Sequence, residues 1–462
     1  MELLGVTESA CPACRRIVPA KILANGEGVR FRKFCPEHGE SEAFVHGDPV
    51  AYRAALSVVK PAWIPKAFAG DATKPCPEGC GFCSRHEQHL CLPILEITDR
   101  CDLACPVCLV SAGGERDLSL AEIDRILDSL IAAECQIDVL TLSGGEPLMH
   151  PRFLEVLDRV LARKEIVRVS VSTNGLRLLK DPSLLPALKA RGVVVSLQFD
   201  GFDDRAYEVL RGRPMKKGKL AILDRLAEAD VSTTLTMTAA AGVNDCEFGR
   251  VLDVLFTRDH VVSLMIQPLA FEGRAKRLGG KARRLTIPDV VSALARAGHA
   301  SVRAEDFAPL PCSHPLCFSL AFYLVPKGSA PVSLGRVVDA RARMDLLANR
   351  PFYGLSEDEH ERLKAMVYEL WSGPSGCCPE AKAVLAAARD ILRSAPGVAF
   401  DPRTAFLAAE RRVKSVFIHA FQDADTFDLA RARRCCNAYP QPDGRIVPAC
   451  VRNVLKAGKG GA

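Results

Sequence analysis

Nineteen cysteines, gathered into short-spaced groups, constrain this chain more than any other feature. Ten precede residue 110, seven follow residue 300, and only Cys135 and Cys246 fall between. Secreted disulfide scaffolds are short and carry signal peptides. This chain has 462 residues, and Met1-Glu2-Leu3-Leu4 does not read as a basic and then apolar leader. Clustered thiols in a reducing compartment read instead as metal or iron–sulfur ligands. The remaining composition is ordinary: 48% hydrophobic and 25% charged residues exclude a mostly disordered or fibrous chain. No apolar run approaches the ~20 residues of a membrane span. The net charge of +6 is too mild to argue for nucleic acid. A cytoplasmic protein is expected, and the charge is compatible with peripheral contact at the inner membrane surface.

The cysteines divide the chain into four stretches. Residues 1–66 carry Cys11-Pro-Ala-Cys14 and Cys35-Pro-Glu-His38, two knuckles that suit one tetrahedral ion. Residues 67–91 form a Gly/Pro-rich connector with Cys76, Cys80 and Cys83, which can wrap an auxiliary iron–sulfur cluster with Cys91 as fourth thiolate. His86 and His89 nearby read as polar or substrate-facing residues rather than ligands. Residues 92–280 alternate strand and helix. Strands are expected over 92–98, 137–142, 167–172, 193–199, 232–238 and 261–267, each short and β-branched as buried parallel strands are. Amphipathic helices are expected over 118–133, 151–162 and 220–229. This pattern predicts an α/β fold, a partial (β/α)6 barrel with its active site at the C-terminal ends of the strands. Residues 281–462 read as a mostly helical domain, with helices over 287–296, 356–370, 379–394 and 404–413. Cys312, Cys317, Cys436 and Cys450 there are expected to hold a second auxiliary cluster. Cys435 competes with Cys436, and Cys377 and Cys378 read as spare or structural. Cys135 and Cys246 read as small buried hydrophobes.

Cys101-Asp-Leu-Ala-Cys105-Pro-Val-Cys108 follows the first barrel strand directly. Three thiolates on one tight loop hold three irons of a four-iron cluster and leave the fourth open. This loop resembles the CxxxCxxC signature of the radical S-adenosylmethionine (SAM) superfamily. The resemblance implies that the open iron holds the SAM amino and carboxylate groups. It also implies reductive cleavage of SAM to methionine and a hydrogen-abstracting 5′-deoxyadenosyl radical. Gly144-Gly145-Glu146-Pro147 resembles the family's GGEP element, implied to receive the SAM ammonium. Ser172-Thr173-Asn174-Gly175 matches the family's S-T-N-G. Arg211 resembles the arginine that pairs with the SAM carboxylate. Ser196, Gln198 and Asp200 end the fourth strand, placed to meet ribose or substrate. Thr236 and Thr238 end the fifth and Gln267 the sixth.

The full layout resembles a narrower group. A Cys/His ribbon, Cys76–Cys83 with His86-Glu-Gln-His89, the triplet loop, and a terminal Phe417-Ile418-His419-Ala420-Phe421, Asp425-Thr426-Phe427-Asp428, Cys435-Cys436 and Pro442-Asp443-Gly444 look like the tetraether lipid synthase family, whose relatives include pterin methylases. The resemblance implies three four-iron clusters, SAM and one mononuclear metal. His38 in place of a fourth cysteine makes zinc as reasonable as iron. It also implies carbon–carbon coupling between lipid alkyl chains, with an electron donor such as ferredoxin or flavodoxin as partner. Radical methylation of a pterin or another heterocycle is the alternative; a peptide-modifying maturase is another. A plain electron carrier would have no use for the GGEP stretch.

Overall fold

The computed structural model describes residues 1–58, 64–110, 112–278, 283–299, 301–310, 313–326, 330–337 and 410–456, with isolated positions 382 and 385. Cys312, Cys377 and Cys378 and the expected helices 356–370 and 379–394 lie essentially outside the described residues.

Four strands, β1 (Glu2–Ala10), β2 (Ile17–Asn25), β3 (Gly28–Cys35) and β4 (Gly39–His46), form an antiparallel meander. The Cys11–Cys14 knuckle joins β1 to β2, and the turn of Cys35–Gly39 joins β3 to β4. β3 alternates in burial, Val29, Phe31, Lys33 and Cys35 turning inward. Lys33 is buried because its ammonium donates to the carbonyls of Ala10 (3.0 Å) and Ala424 (2.9 Å), which fastens the ribbon to the C-terminal stretch.

The barrel strands β5 (Leu92–Thr98), β6 (Ile137–Gly144), β7 (Ile166–Thr173), β8 (Val194–Gln198), β9 (Thr233–Ala239) and β10 (Val261–Pro268) pair side by side in sequence order, all parallel. Helices cover their outer face, where the strands set buried aliphatic side chains, while Ser172, Ser196, Gln198, Thr236 and Thr238 alternate with them and are only partly buried. Val171, Val195, Leu197, Leu235, Leu264 and Ile266 are all fully buried in one core. The helix Leu120–Glu134 starts where Ser119 and Glu122 form a capping box. Thr286 and Asp289 do the same for Ile287–Arg296.

Beyond residue 300 come β11 (Ala308–Pro309), β12 (Phe318–Leu324), β13 (Val332–Ser333), β14 (Val413–His419), β15 (Asn437–Pro440) and β16 (Ile446–Pro448). The helix expected over 287–296 is present, but that over 404–413 is not found among its described residues: 410–412 are turn, and Val413 begins a strand. β14 lies parallel beside β10, with β12 antiparallel beyond it, while β15 lies parallel beside β5. The described residues of the C-terminal stretch thus extend the barrel sheet at both edges. Lys414 is fully buried in β14 because its ammonium donates to Leu255 (2.6 Å) and Arg258 (2.8 Å) carbonyls. No described helix is long and apolar enough to cross a membrane.

Candidate active site

The C-terminal ends of β5 to β10 face one side, and the loops that follow them converge there. Cys101, Cys105 and Cys108 share the loop after β5, all partly exposed. The Cys108 N–H donates to the Cys105 carbonyl at 3.2 Å. The loop is braced from the next strand: the Gly145 N–H donates to Thr98 (2.8 Å) and the Glu146 N–H to Arg100 (2.7 Å). Gly144 has φ +128, and a Cβ there or on Gly145 would overlap the Thr98 or Arg100 carbonyl. The glycine pair is therefore a packing requirement of the cysteine loop.

Glu146 is 1% exposed. Its carboxylate accepts Thr173 Oγ1 (2.6 Å), the Asn174 N–H (2.8 Å) and the Leu148 N–H (3.3 Å). Burial raises its pKa to about 7 against these donors. Asn174 Nδ2 reaches across to Asp102 in the cysteine loop at 2.7 Å. The ends of β5, β6 and β7 are thus one hydrogen-bonded unit.

A second unit lies on β8 and β9. Asp200 is fully buried and takes both Nε (2.7 Å) and an Nη (2.9 Å) of Arg211 and the Thr238 N–H (3.0 Å), with Gln198 Nε2 also donating. Arg211 further donates to Thr238 Oγ1 (2.8 Å) and reaches the Cys105 thiol. Burial opposes its charge, but Asp200 more than offsets this and raises its pKa. Ser196 and Thr236 share a hydroxyl hydrogen bond of 2.8 Å. Gln267 stands in register with Thr238 at the end of β10.

Sequence reasoning missed Lys219. It is fully buried, and its ammonium donates to the Asn174 carbonyl (2.6 Å) and Gln198 Oε1 (2.7 Å), linking the two units. Burial lowers its pKa to about 7. The available signal was its position: Lys219, Ile222, Leu223 and Leu226 form one buried row on the helix Lys216–Glu228.

At the ribbon, the ligand atoms of Cys11, Cys14, Cys35 and His38 all lie within 4.8 Å of one another. The Cys14 and Cys35 sulfurs are 3.9 Å apart. With metal–sulfur bonds of about 2.3 Å, a tetrahedral site needs sulfurs about 3.8 Å apart, so these residues fit one ion. The Cys35 sulfur and His38 Nδ1 are 3.5 Å apart, and this contact lowers the Cys35 pKa to about 6.

The other thiols sort differently from their order in the chain. Cys76 and Cys80 pack in the same cluster as Cys450 and Phe427, and Cys83 lies near Cys76. Cys91, expected with them, packs instead with Cys436 and Cys317, and its N–H donates to the Cys436 carbonyl at 3.1 Å. Cys435 is not displaced by Cys436: it is partly buried, and Cys450, Cys436 and Cys317 add to desolvation in raising its pKa. Cys317, Cys435, Cys436 and Cys450 therefore converge. Arg431, another residue the sequence did not single out, donates Nε to the Cys317 sulfur at 3.4 Å. These thiols, two buried and two partly exposed, with a cation beside them, are a donor set suited to an iron–sulfur cluster. His86 does not face a substrate space: it stacks on Phe82 at 4.0 Å and pairs with the Cys435 carbonyl at 3.1 Å. His89 lies between Glu134 (3.1 Å) and the Cys91 sulfur (3.4 Å). Cys135 and Cys246 are exposed, contrary to the expected burial, since each falls at a helix boundary.

Residues 95–255 match the family model described as the radical SAM superfamily. The chain is a radical SAM enzyme. Residues 3–47 of the enzyme match a second model, the HMPTM N-terminal zinc ribbon domain. The 7,8-dihydro-6-hydroxymethylpterin dimethyltransferase of Methanocaldococcus jannaschii is 26% identical over 97% of this chain and 93% of its own. The GTP 3′,8-cyclase of Lactiplantibacillus plantarum is 33% identical, over 37% of this chain and 51% of its own. The mycofactocin maturase of Mycobacterium ulcerans is 33% identical, over 37% of this chain and 41% of its own. Among solved structures, Streptococcus suis SuiB bound to the precursor peptide SuiA is 13% identical over 40% of each chain, with a TM-score of 0.35. Membership implies a four-iron cluster, SAM, a reductant and a substrate.

Proposed function

We propose that this radical SAM enzyme methylates a pterin or a closely similar fused heterocycle. The observation that carries the reading is the similarity to the pterin dimethyltransferase, which runs through ribbon, barrel and C-terminal stretch alike. The cyclase and the maturase match over little more than a third of the chain. The expected lipid coupling has no comparable support, and the alternative weighed beside it takes its place.

In this reading Cys101, Cys105 and Cys108 hold the differentiated cluster. Gly144, Gly145, Glu146, Pro147, Thr173, Asn174, Ser196, Gln198, Asp200, Arg211, Thr236, Thr238 and Gln267 line the place of SAM and substrate. The cluster, when bound, supplies the electron that cleaves SAM. The protein's own part is positional. Glu146 ties β7 to the cysteine loop, Asp200 fixes Arg211 beside Cys105, and Lys219 holds the two units in one register. The ribbon holds one zinc or iron ion through Cys11, Cys14, Cys35 and His38. Cys76, Cys80, Cys83, Cys91, Cys317, Cys435, Cys436 and Cys450 serve auxiliary clusters, with Cys312 as a further candidate. A ferredoxin or flavodoxin is the proposed donor.

The test is anaerobic incubation of reconstituted enzyme with reductant, SAM and 7,8-dihydro-6-hydroxymethylpterin, followed by mass spectrometry. A pterin heavier by one or two methyl groups is the expected product. Unchanged pterin, alongside coupled alkyl chains in lipid extracts from expressing cells, would overturn the reading.

A further inference from the structure

The ribbon knuckle and the barrel's cysteine loop are joined through one ion pair. Arg15 directly follows Cys14 and has φ +63, a left-handed conformation that non-glycine residues rarely adopt. Its N–H closes the knuckle on the Cys11 carbonyl at 2.9 Å. Its guanidinium leaves the ribbon and meets both oxygens of Glu272, each at 2.9 Å. Glu272, which follows β10, is 3% exposed. It also holds the Lys276 ammonium (2.8 Å) and the Ala424 N–H (3.3 Å).

The next two residues rest on the cysteine loop. The Arg274 N–H donates to the Cys108 carbonyl at 3.1 Å. Gly273 has φ +57, and a Cβ on it would overlap that same carbonyl. A long side chain kept in an unfavourable backbone conformation, the buried carboxylate it neutralises, and a glycine fitted to Cys108 form one continuous path.

We propose that Arg15 and Glu272 are positioning residues through which the metal-holding knuckle fixes Cys108, and with it the cysteine triplet. This rests on the reading of the triplet as cluster ligands. Cutting the pair takes a principal partner from a buried carboxylate, and the backbone that carboxylate anchors opens more often.

The test compares full-length, anaerobically reconstituted protein with Arg15→Met, Arg15→Lys, Cys14→Ala and Arg16→Met. Arg16 pairs with Glu37 on the exposed side of the same knuckle, at 2.5 Å, and serves as the control. Hydrogen exchange read by mass spectrometry follows the peptide spanning residues 101–110, and metal analysis checks the ribbon. Arg15→Met is expected to keep its ribbon metal yet exchange that peptide roughly tenfold faster. Cys14→Ala gives the same acceleration, Arg15→Lys recovers part of the protection, and Arg16→Met leaves it unchanged. The change that SAM induces in the reduced cluster's electron paramagnetic resonance signal is altered in Arg15→Met and restored in Arg15→Lys. If Arg15→Met does not fold, Glu272→Gln replaces it, with the same outcomes. Unchanged exchange in Arg15→Met, or equal acceleration in Arg16→Met, overturns the proposal. SAM cleavage by the unaltered protein is scored separately. No 5′-deoxyadenosine sinks the reading of the triplet itself; cleavage with an unresponsive 101–110 segment sinks only the strut.

Discussion

Lys219 occupies a helix row otherwise filled by Ile222, Leu223 and Leu226, and its charge has no solvent to lean on. Burial takes its pKa from 10.5 to about 7. Between those values the unfolded chain holds a proton that the folded chain has released. Stability from this group therefore rises with pH across that window, by at most about 1.4 kcal/mol per unit. Lys219→Met removes the term. The melting temperature of the unaltered protein relative to Lys219→Met should climb between about pH 7 and about pH 10; a flat difference would contradict the burial argument. Glu146 has the opposite sign, its pKa raised by burial from 4.5 to about 7, so its term weakens stability as pH rises through that range. A second residue-scale expectation concerns chemistry. Cys105→Ala should reduce 5′-deoxyadenosine formation from SAM and dithionite to background, since two thiolates cannot hold the cluster on this loop. Product formation near the unaltered rate would remove the triplet from the mechanism.

At the scale of elements, the glycine pair after β6 makes a sharp case. Gly145→Ala places a methyl group against the Arg100 carbonyl, where backbone rather than a flexible side chain must give way. A cost of about 1–3 kcal/mol is expected, together with lower iron retention, measured by thermal unfolding and iron analysis after reconstitution. Retained stability and iron would show that the β5–β6 brace is dispensable. The six barrel strands were legible because short runs rich in apolar and β-branched residues recur between amphipathic helices. The two knuckles were legible because a tetrahedral ion dictates short spacing. β14 was not: a buried lysine interrupts its run, and only the Leu255 and Arg258 carbonyls, distant in sequence, explain it. Nor was the grouping of Cys91 with Cys436 and Cys317, since convergence of separate segments leaves no local spacing to read. Cys135 and Cys246 were misjudged because apolar character says little about a residue at a helix end.

For the whole molecule, the cysteine groups lead to a stoichiometry. Anaerobic reconstitution should load about twelve irons in three four-iron clusters and one further ion in the ribbon. About four irons in total would eliminate both auxiliary clusters, whatever the fate of the triplet.

Both flanks of the barrel sheet are extended by residues that follow position 410: β14 along β10, and β15 at the start of β5. During synthesis the six central strands emerge first, and their two outer strands then carry unpaired backbone along their full length. Such borders recruit other chains, and slowly closing sheets stay exposed longest. A nascent chain that has reached residue 280 is therefore expected to be prone to association. Ribosome stalling or truncation before β14 should send the protein to aggregates, while the same barrel completed through β16 stays dispersed. The site proposed for Cys317, Cys435, Cys436 and Cys450 is thereby tied to the moment at which translation delivers the two flanking strands.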